Sequence, residues 1–192
     1  MNRRRWLAAA TGVALGFGLG PASAGMDVGL VRPRREAPDV RLLRHDGRAI
    51  TLPAQLRSGF TVVQLMFTGC SAICPMQGAL FASLQGVLAA QAEAHDVRLL
   101  SLSIDPLGDD PKALSAWLKR FGADARWSAA APLPQDLDRM LDQLGQRGTT
   151  TGDRHTGQLS VFDRDGRLAW RTSELPPARE VSDALRALRS RS

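Results

Sequence analysis

The stretch FTVVQLMFTGCSAICPMQ, residues 60–77, determines the fold class of this chain. Its first part, Phe60–Phe67, is nearly continuous apolar and β-branched sequence, which is typical of a strand buried on both faces. Its second part passes two cysteines and enters an amphipathic helix that we predict from about Pro75 to Ala90. The stretch therefore predicts a buried strand that leads directly into a helix, with a cysteine pair at the junction.

Strands and helices alternate on both sides of this stretch. Upstream, Val40–Leu43 and Ala49–Leu52 flank a turn and predict a β-hairpin. Downstream, apolar periodicity and turn signals predict a strand over Val97–Ile104, helices beginning near Pro111 and Pro134, a hairpin of Leu159–Phe162 and Leu168–Arg171, and a last helix around Val181–Leu188. A central βαβ unit followed by a hairpin and a helix predicts a single α/β domain with a thioredoxin-like fold, extended by the N-terminal β-hairpin.

The first 24 residues have the three parts of an export signal peptide. Arg3–Arg5 form the positive region, Trp6–Leu19 the apolar region, and Ala22–Ala24 a small-residue cleavage site. The start of the segment, Asn2–Leu7, is similar to a twin-arginine signal. Its apolar region is diluted by glycines and is shorter than the roughly 20 apolar residues of a membrane span. We therefore expect residues 1–24 to be cleaved rather than kept as a membrane anchor.

The rest of the chain divides near residue 38. Residues 25–38 carry two prolines and mixed charge and are predicted to be a leader or linker, whereas residues 39–192 form the folded domain. We expect an exported monomer in the periplasm, or one tethered to the outer face of the inner membrane if the signal stays uncleaved. Without residues 1–24 the net charge falls from +6 to +3, and the basic residues form no run interleaved with aromatics. This pattern does not favour nucleic-acid binding.

The chain has two cysteines, Cys70 and Cys74, and both lie at the junction of strand and helix. Free amides and the helix dipole stabilise a thiolate there and lower its pKa from the usual value of about 8.5. Three residues separate the cysteines, whereas thioredoxin-type oxidoreductases have two. Side chains four apart on a helix lie about 5–6 Å apart at Cβ, and a disulfide requires about 3.5–4.5 Å. The spacing favours two thiolates beside a metal ion, while a structural disulfide or an inert buried pair stays open.

A third ligand is needed, and the chain has three histidines. We expect His45, in a hairpin turn, and His95, in a polar connector, to be surface residues. His155 lies in a Gly- and Thr-rich loop before the strand that starts at Leu159, and a thioredoxin-like topology brings this loop to the cysteine end of the sheet. Thiolate sulfur favours Cu(I) and imidazole also stabilises Cu(II), so this set suits copper. A structural zinc site needs a fourth protein ligand, and none is evident in the sequence, so copper is favoured over zinc.

A resemblance to a known family rests on three stretches. They are FTGCSAICPMQ (67–77), SLSIDPLGDDPKALSAWLKRFG (101–122) and RHTGQLSVFDRDGRLAWR (154–171). Together they resemble the Sco/SenC family, thioredoxin-fold copper proteins associated with assembly of the binuclear copper centre of cytochrome c oxidase. The resemblance runs over most of residues 39–190. It also points to Asp105 as a residue that shapes the site, although a simple turn role for Asp105 stays equally open.

The resemblance implies that Cys70, Cys74 and His155 are copper ligands. Two positions depart from the family pattern. Ser71 stands where members commonly have proline, and Arg154 stands beside the histidine where they commonly have aspartate. We expect a cation at that position to weaken Cu(II) binding or to change partner docking, so the departures concern affinity and target more than the ligand set.

We therefore expect a copper metallochaperone rather than an enzyme. It would deliver Cu(I) or Cu(II) to a copper-receiving protein, a cytochrome c oxidase subunit, or reduce the cysteines of that protein. The alternative is a thiol-disulfide oxidoreductase without stable copper binding, in which Cys70 and Cys74 form a redox-active disulfide. A third interpretation, a peroxiredoxin-like peroxidase, rests on Thr68 two residues before Cys70.

Overall fold

The computed structural model describes residues 28–57, 59–144 and 156–191. In these ranges the strands are β1 (Gly29–Glu36), β2 (Arg41–Arg44), β3 (Ala49–Thr51), β4 (Phe60–Met66), β5 (Val97–Ser103), β6 (Trp127–Pro132), β7 (Gln158–Phe162) and β8 (Arg167–Glu174). The helices are α1 (Leu52–Leu56), α2 (Ile73–Ala89), α3 (Pro111–Arg120), α4 (Leu137–Leu144) and α5 (Ala178–Arg189). None of the described helices is both long and apolar enough to span a bilayer. The predicted signal, residues 1–24, lies outside the described residues.

All eight strands form one mixed sheet in the order β1-β8-β7-β4-β5-β6-β2-β3. The central strands β4, β5 and β6 are parallel, and the flanking strands pair antiparallel. Met66 at the end of β4 lies opposite Ser103 at the end of β5. The loops that follow these two strands therefore start side by side at the carboxyl edge of the sheet, where ligand sites of open α/β sheets usually lie.

Helices cover both faces of the sheet. Helices α2, α3 and α5 pack on one face, where Val62 and Leu99 point, and α1 and α4 pack on the other, where Val63 and Leu100 point. Every residue of β4 is buried, as the apolar run of this strand predicts. Full burial of each such valine or leucine contributes about 1.5–3 kcal/mol, so the central strands hold the junction with α2 in a fixed position.

Two strands were not predicted. Within the predicted leader, Gly29–Glu36 forms β1 and pairs with β8, and Leu30 packs against the core. A strand at the edge of a sheet tolerates proline and charge, so its composition is similar to that of a linker. Trp127–Pro132 forms β6 although its alanines have low strand propensity. It becomes a strand because β5 and β2 bind its two edges.

Candidate metal centre

The structure places both cysteines at the carboxyl edge of the sheet. Cys70 lies in the short loop after β4, and Cys74 is the second residue of α2. The predicted helix is therefore confirmed, but it begins at Ile73, before the predicted start at Pro75. The two side chains are free thiols and nearly buried, with Cys70 6% and Cys74 1% exposed. Cys70 is thus the slightly more exposed residue of the pair.

Hydrogen bonds around Cys70 favour its thiolate form. Burial acts to raise its pKa, but a hydrogen bond from the Cys74 thiol and hydrogen bonds from the backbone N–H groups of Cys74, Ala72 and Ile73 outweigh this effect. The pKa of Cys70 is therefore below its ordinary value. These N–H groups belong to the start of α2 and have no partner within the helix, as the position of the pair predicts.

Cys74 differs from the sequence expectation. Burial raises its pKa to about 12, together with the hydrogen bond that it donates to the Cys70 sulfur and the negative charges of Cys70 and Asp109. A backbone hydrogen bond from Phe67 acts in the opposite direction. The start of α2 therefore stabilises the thiolate of Cys70, whereas Cys74 keeps its proton until a bound metal ion takes the place of that proton.

Asp109 lies beneath the cysteine loop, and the sequence reasoning missed it. This buried carboxylate accepts hydrogen bonds from the Thr68 N–H (3.1 Å) and hydroxyl (2.5 Å) and from the Ser103 hydroxyl (2.6 Å). It thereby ties the loop after β4 to the end of β5. The available signal was the paired aspartates before α3, but Asp110 alone accounts for the helix cap, since it accepts from the Ala113 N–H at 2.7 Å.

Asp105 has a turn role. Its backbone N–H donates to the Ser103 hydroxyl at 2.9 Å, and its carboxylate accepts from the Gly108 N–H at 3.1 Å. A Cβ at Gly108 would lie 2.4 Å from the Asp105 carboxylate, so the turn closes tightly around this side chain. Asp105 thus shapes the loop that presents Asp109.

The third predicted ligand, His155, lies outside the described residues. The segment that directly follows it is held against α2. The side-chain amide of Gln77 donates to the Thr156 carbonyl at 2.8 Å, and Gln77 comes one helical turn after Cys74.

The other two histidines lie elsewhere in the fold. The His45 Nδ1 is 3.1 Å from the Ala129 carbonyl and accepts from the Ala129 N–H at 3.3 Å, so this half-buried ring joins the β2–β3 turn to β6. His95 is exposed and precedes β5, at the amino edge of the sheet opposite the cysteines. Within the described ranges no three His, Cys, Asp or Glu side chains are grouped to hold a metal ion. The described donors are therefore the two sulfurs, which are soft ligands of the kind that Cu(I) prefers.

A family model and a curated relative agree with the family resemblance of the sequence. A family model described as SCO1/SenC matches residues 32–190. The chain is 38% identical over 79 residues to the SCO1 protein homolog of Bacillus subtilis (strain 168), and this alignment covers 41% of the chain and 37% of the relative. The chain thus spans little more than a third of that curated relative.

Solved structures share the fold at low identity. A SCO1/SenC family lipoprotein from Bacillus anthracis superimposes with a TM-score of 0.69 at 22% identity, covering 81% of this chain and 98% of the other. Bradyrhizobium japonicum ScoI with copper bound gives 0.63 at 20% identity, over 79% and 98% of the two chains. Yeast Sco1 with copper bound gives 0.66 at 14% identity, over 80% and 87%. These likenesses confirm the predicted single-domain α/β, thioredoxin-like fold.

Proposed function

Because this chain belongs to the SCO1/SenC family, we propose that it is a copper metallochaperone whose ligands are Cys70, Cys74 and His155. The observation that carries the proposal is the pair of free, hydrogen-bonded thiols at the start of α2. Relatives of the same fold have been solved with copper bound, which supports copper as the cargo. Two thiolates suit Cu(I), and an imidazole adds affinity for Cu(II).

The asymmetry of the pair suits uptake and release of a metal ion. Cys70, which has the lowered pKa and is slightly less buried than Cys74, makes the first bond to incoming copper. Cys74, with a pKa of about 12, loses its proton when the metal takes its place, so binding releases a proton. A partner that supplies its own thiolates reverses these steps by ligand exchange. We propose that this partner is a cytochrome c oxidase subunit.

Anaerobic titration of the reduced protein with copper tests the ligand set. We expect about one copper per monomer, lost in Cys70→Ser and Cys74→Ser because two thiolates are the main Cu(I) donors. His155→Ala should weaken Cu(II) binding more than Cu(I) binding, and His95→Ala, at the opposite edge of the sheet, should change neither. If the reduced wild-type protein fails to hold copper against a modest competitor, the proposal is wrong.

A second function, thiol-disulfide reduction, is favoured by the same asymmetric pair. Here the Cys70 thiolate attacks a substrate disulfide, forms a mixed disulfide and expels one substrate thiolate. Cys74, once deprotonated, then attacks the Cys70 sulfur and releases the second, so the pair is oxidised as the substrate is reduced. The high pKa of Cys74 slows this second attack. Rapid exchange of the copper-free protein with a disulfide-bonded target peptide would support this function, and slow exchange would count against it.

We also propose that the protein is exported through residues 1–24. A structural relative is described as a lipoprotein, which is consistent with work outside the cytoplasm. Fractionation of cells followed by mass spectrometry of the mature N-terminus tests this point. We expect the protein in the periplasmic or membrane fraction, with cleavage after Ala24.

A further inference from the structure

Asp109 is a buried carboxylate that lies next to the cysteine loop. It is 3% exposed, and it accepts from the Thr68 N–H at 3.1 Å and from the Thr68 hydroxyl at 2.5 Å. The preceding backbone N–H, that of Phe67, donates to the Cys74 sulfur. Two successive amides thus bind the carboxylate and the sulfur, and consecutive residues are only about 3.8 Å apart. Asp109 and Cys74 are therefore neighbours at the carboxyl edge of the sheet.

The negative charge of Asp109 acts on the thiol pair. Its remaining side-chain donor among the described residues is the Ser103 hydroxyl at 2.6 Å, which is neutral like the donors from Thr68. Burial and the neighbouring Cys70 come first among the causes that raise the pKa of the Cys74 thiol, and the charge of Asp109 adds to them. A charge that is buried and not paired with a cation acts more strongly on its surroundings than a solvated one.

The carboxylate of Asp109 acts by its charge rather than as a ligand. Within the described ranges no three His, Cys, Asp or Glu side chains are grouped to hold a metal ion, so Asp109 does not complete a ligand set with the two sulfurs. On the same sulfurs, Cu(II) carries one more positive charge than Cu(I). A fixed negative charge nearby stabilises the more highly charged ion.

We propose that Asp109 determines how strongly the site prefers one oxidation state of copper, because its buried charge raises the affinity for Cu(II) relative to Cu(I). Two thiolates alone favour Cu(I), so the carboxylate allows one site to hold both ions. This inference rests on the proposed function. On the same sulfurs the two ions displace the same protons, so the ratio of the two affinities isolates the effect of the charge.

Asp109→Asn tests the proposal, with Asp110→Asn as the matched control. In anaerobic competition titrations of the reduced protein, Asp109→Asn should lower the ratio of Cu(II) to Cu(I) affinity about tenfold, the order expected for unit charges about 10 Å apart at an effective dielectric constant of about 20. Asp110→Asn removes a charge from the neighbouring residue, which is exposed and screened by water, and should leave the ratio unchanged. Equal ratios in the two variants would overturn the proposal.

Thr68→Val separates the charge from the geometry of the loop. It removes the hydroxyl that binds Asp109 and keeps the carboxylate, so the ratio should not change. Asp109→Glu, which keeps the charge, should retain most of the ratio. If Asp109→Asn does not fold, Asp109→Ser, a neutral residue whose hydroxyl can accept from the Thr68 N–H, gives the same comparison. A shift in Thr68→Val as large as that in the neutral variant would mean that loop geometry sets the ratio, and would refute the role of the charge.

A copper-free titration distinguishes this inference from the proposed function. Ag(I) and Cd(II) are both soft ions that bind thiolates, and they differ by one unit of charge. Asp109→Asn should lower the ratio of Cd(II) to Ag(I) affinity about tenfold, and Asp110→Asn should not change it. An unchanged ratio in Asp109→Asn refutes the charge effect even if copper binds. Failure of the wild-type protein to hold copper, with a shifted Cd(II) to Ag(I) ratio, refutes the proposed function alone, and binding of neither ion refutes both.

Discussion

A carboxylate lies near each end of β4: the half-buried Asp96 at the amino end and the buried Asp109 at the carboxyl end. The two carboxylates have different partners. At the amino end, Asp96 binds Arg164 through two nitrogens at 2.7 and 2.9 Å and also binds Arg189. The Arg164 guanidinium lies 4.7 Å from the centre of the buried Phe60 ring. At the carboxyl end, the donors to Asp109 among the described residues are neutral N–H and O–H groups.

The difference separates a structural end from a functional end. Two arginines neutralise Asp96, and hydrogen bonds from Arg164 and Arg189 outweigh burial to hold the pKa of Asp96 below its usual value. Neutral donors orient Asp109 without cancelling its charge, which contributes to the raised pKa of Cys74. A negative charge that acts on the Cys74 thiol favours a bound cation at this site. The ion pairs of Asp96 thus lie at the edge of the sheet opposite the cysteines. At the cysteine edge, the described donors to Asp109 are neutral and leave its negative charge in place.

The largest expected effect is in the reactivity of the two thiols at the functional end. With the pKa of Cys70 lowered and that of Cys74 at about 12, iodoacetamide should modify Cys70 at neutral pH at least roughly a hundredfold faster. Mass spectrometry of the copper-free protein across a pH series gives both rates. In Cys70→Ser, labelling of Cys74 should stay slow near neutral pH, because burial is the first cause of its raised pKa. Comparable labelling of both cysteines would show that the pair is symmetric.

Gly59→Ala should produce the largest loss of stability at the structural end. Gly59 has φ of +139°, and a Cβ there would lie 2.0 Å from the Asp96 carbonyl oxygen. The clash and the strained backbone together should lower the free energy of unfolding by about 3 kcal/mol. Urea denaturation measures it. Gly86→Ala is the control, since a Cβ at that position within α2 meets nothing within 4 Å and should stabilise by about 0.5–1 kcal/mol.

Asp109→Asn should disturb the functional end through its hydrogen bonds and its charge. The amide turns an NH₂ group toward donors from Thr68 and Ser103, which should cost about 2 kcal/mol of stability. Loss of the negative charge should also lower the pKa of Cys74, so that its alkylation begins at lower pH. Asp110→Asn is the matched control, because asparagine also caps a helix and should change stability by only a few tenths of a kcal/mol. Equal effects of the two substitutions would contradict the role given to Asp109.

The sequence predicted the parts of this comparison that depend on local patterns. The apolar run of β4 and the cysteines before Pro75 indicated the strand, the helix start and the thiol pair. Asp109 and Gln77 could not be assigned, because their partners follow from strand register and from contacts far along the chain. The same reason explains β6, whose alanines become a strand only between two neighbours. Residues that position the site are thus the least visible in the sequence, because their chemistry is shared with ordinary caps and surface amides.

The smallest expected effect is that of Asp96→Asn, and its pH dependence distinguishes the two ends. Because the pKa of Asp96 is lowered in the folded state, its stabilising contribution is complete above its unfolded pKa of about 4 and is lost as the pH falls below that value. Arg164 is half exposed, and asparagine can still accept a hydrogen bond from the mostly buried Arg189, so we expect the substitution to cost about 1 kcal/mol at neutral pH. Denaturation curves from pH 7 to pH 3 should show the wild-type protein losing this increment while Asp96→Asn does not.

Added salt should reduce the difference at neutral pH, since it screens an ion pair, whereas the cost of Asp109→Asn should not change with salt. A salt-dependent Asp109→Asn would mean that its charge is paired after all, and the contrast between the two ends of β4 would disappear.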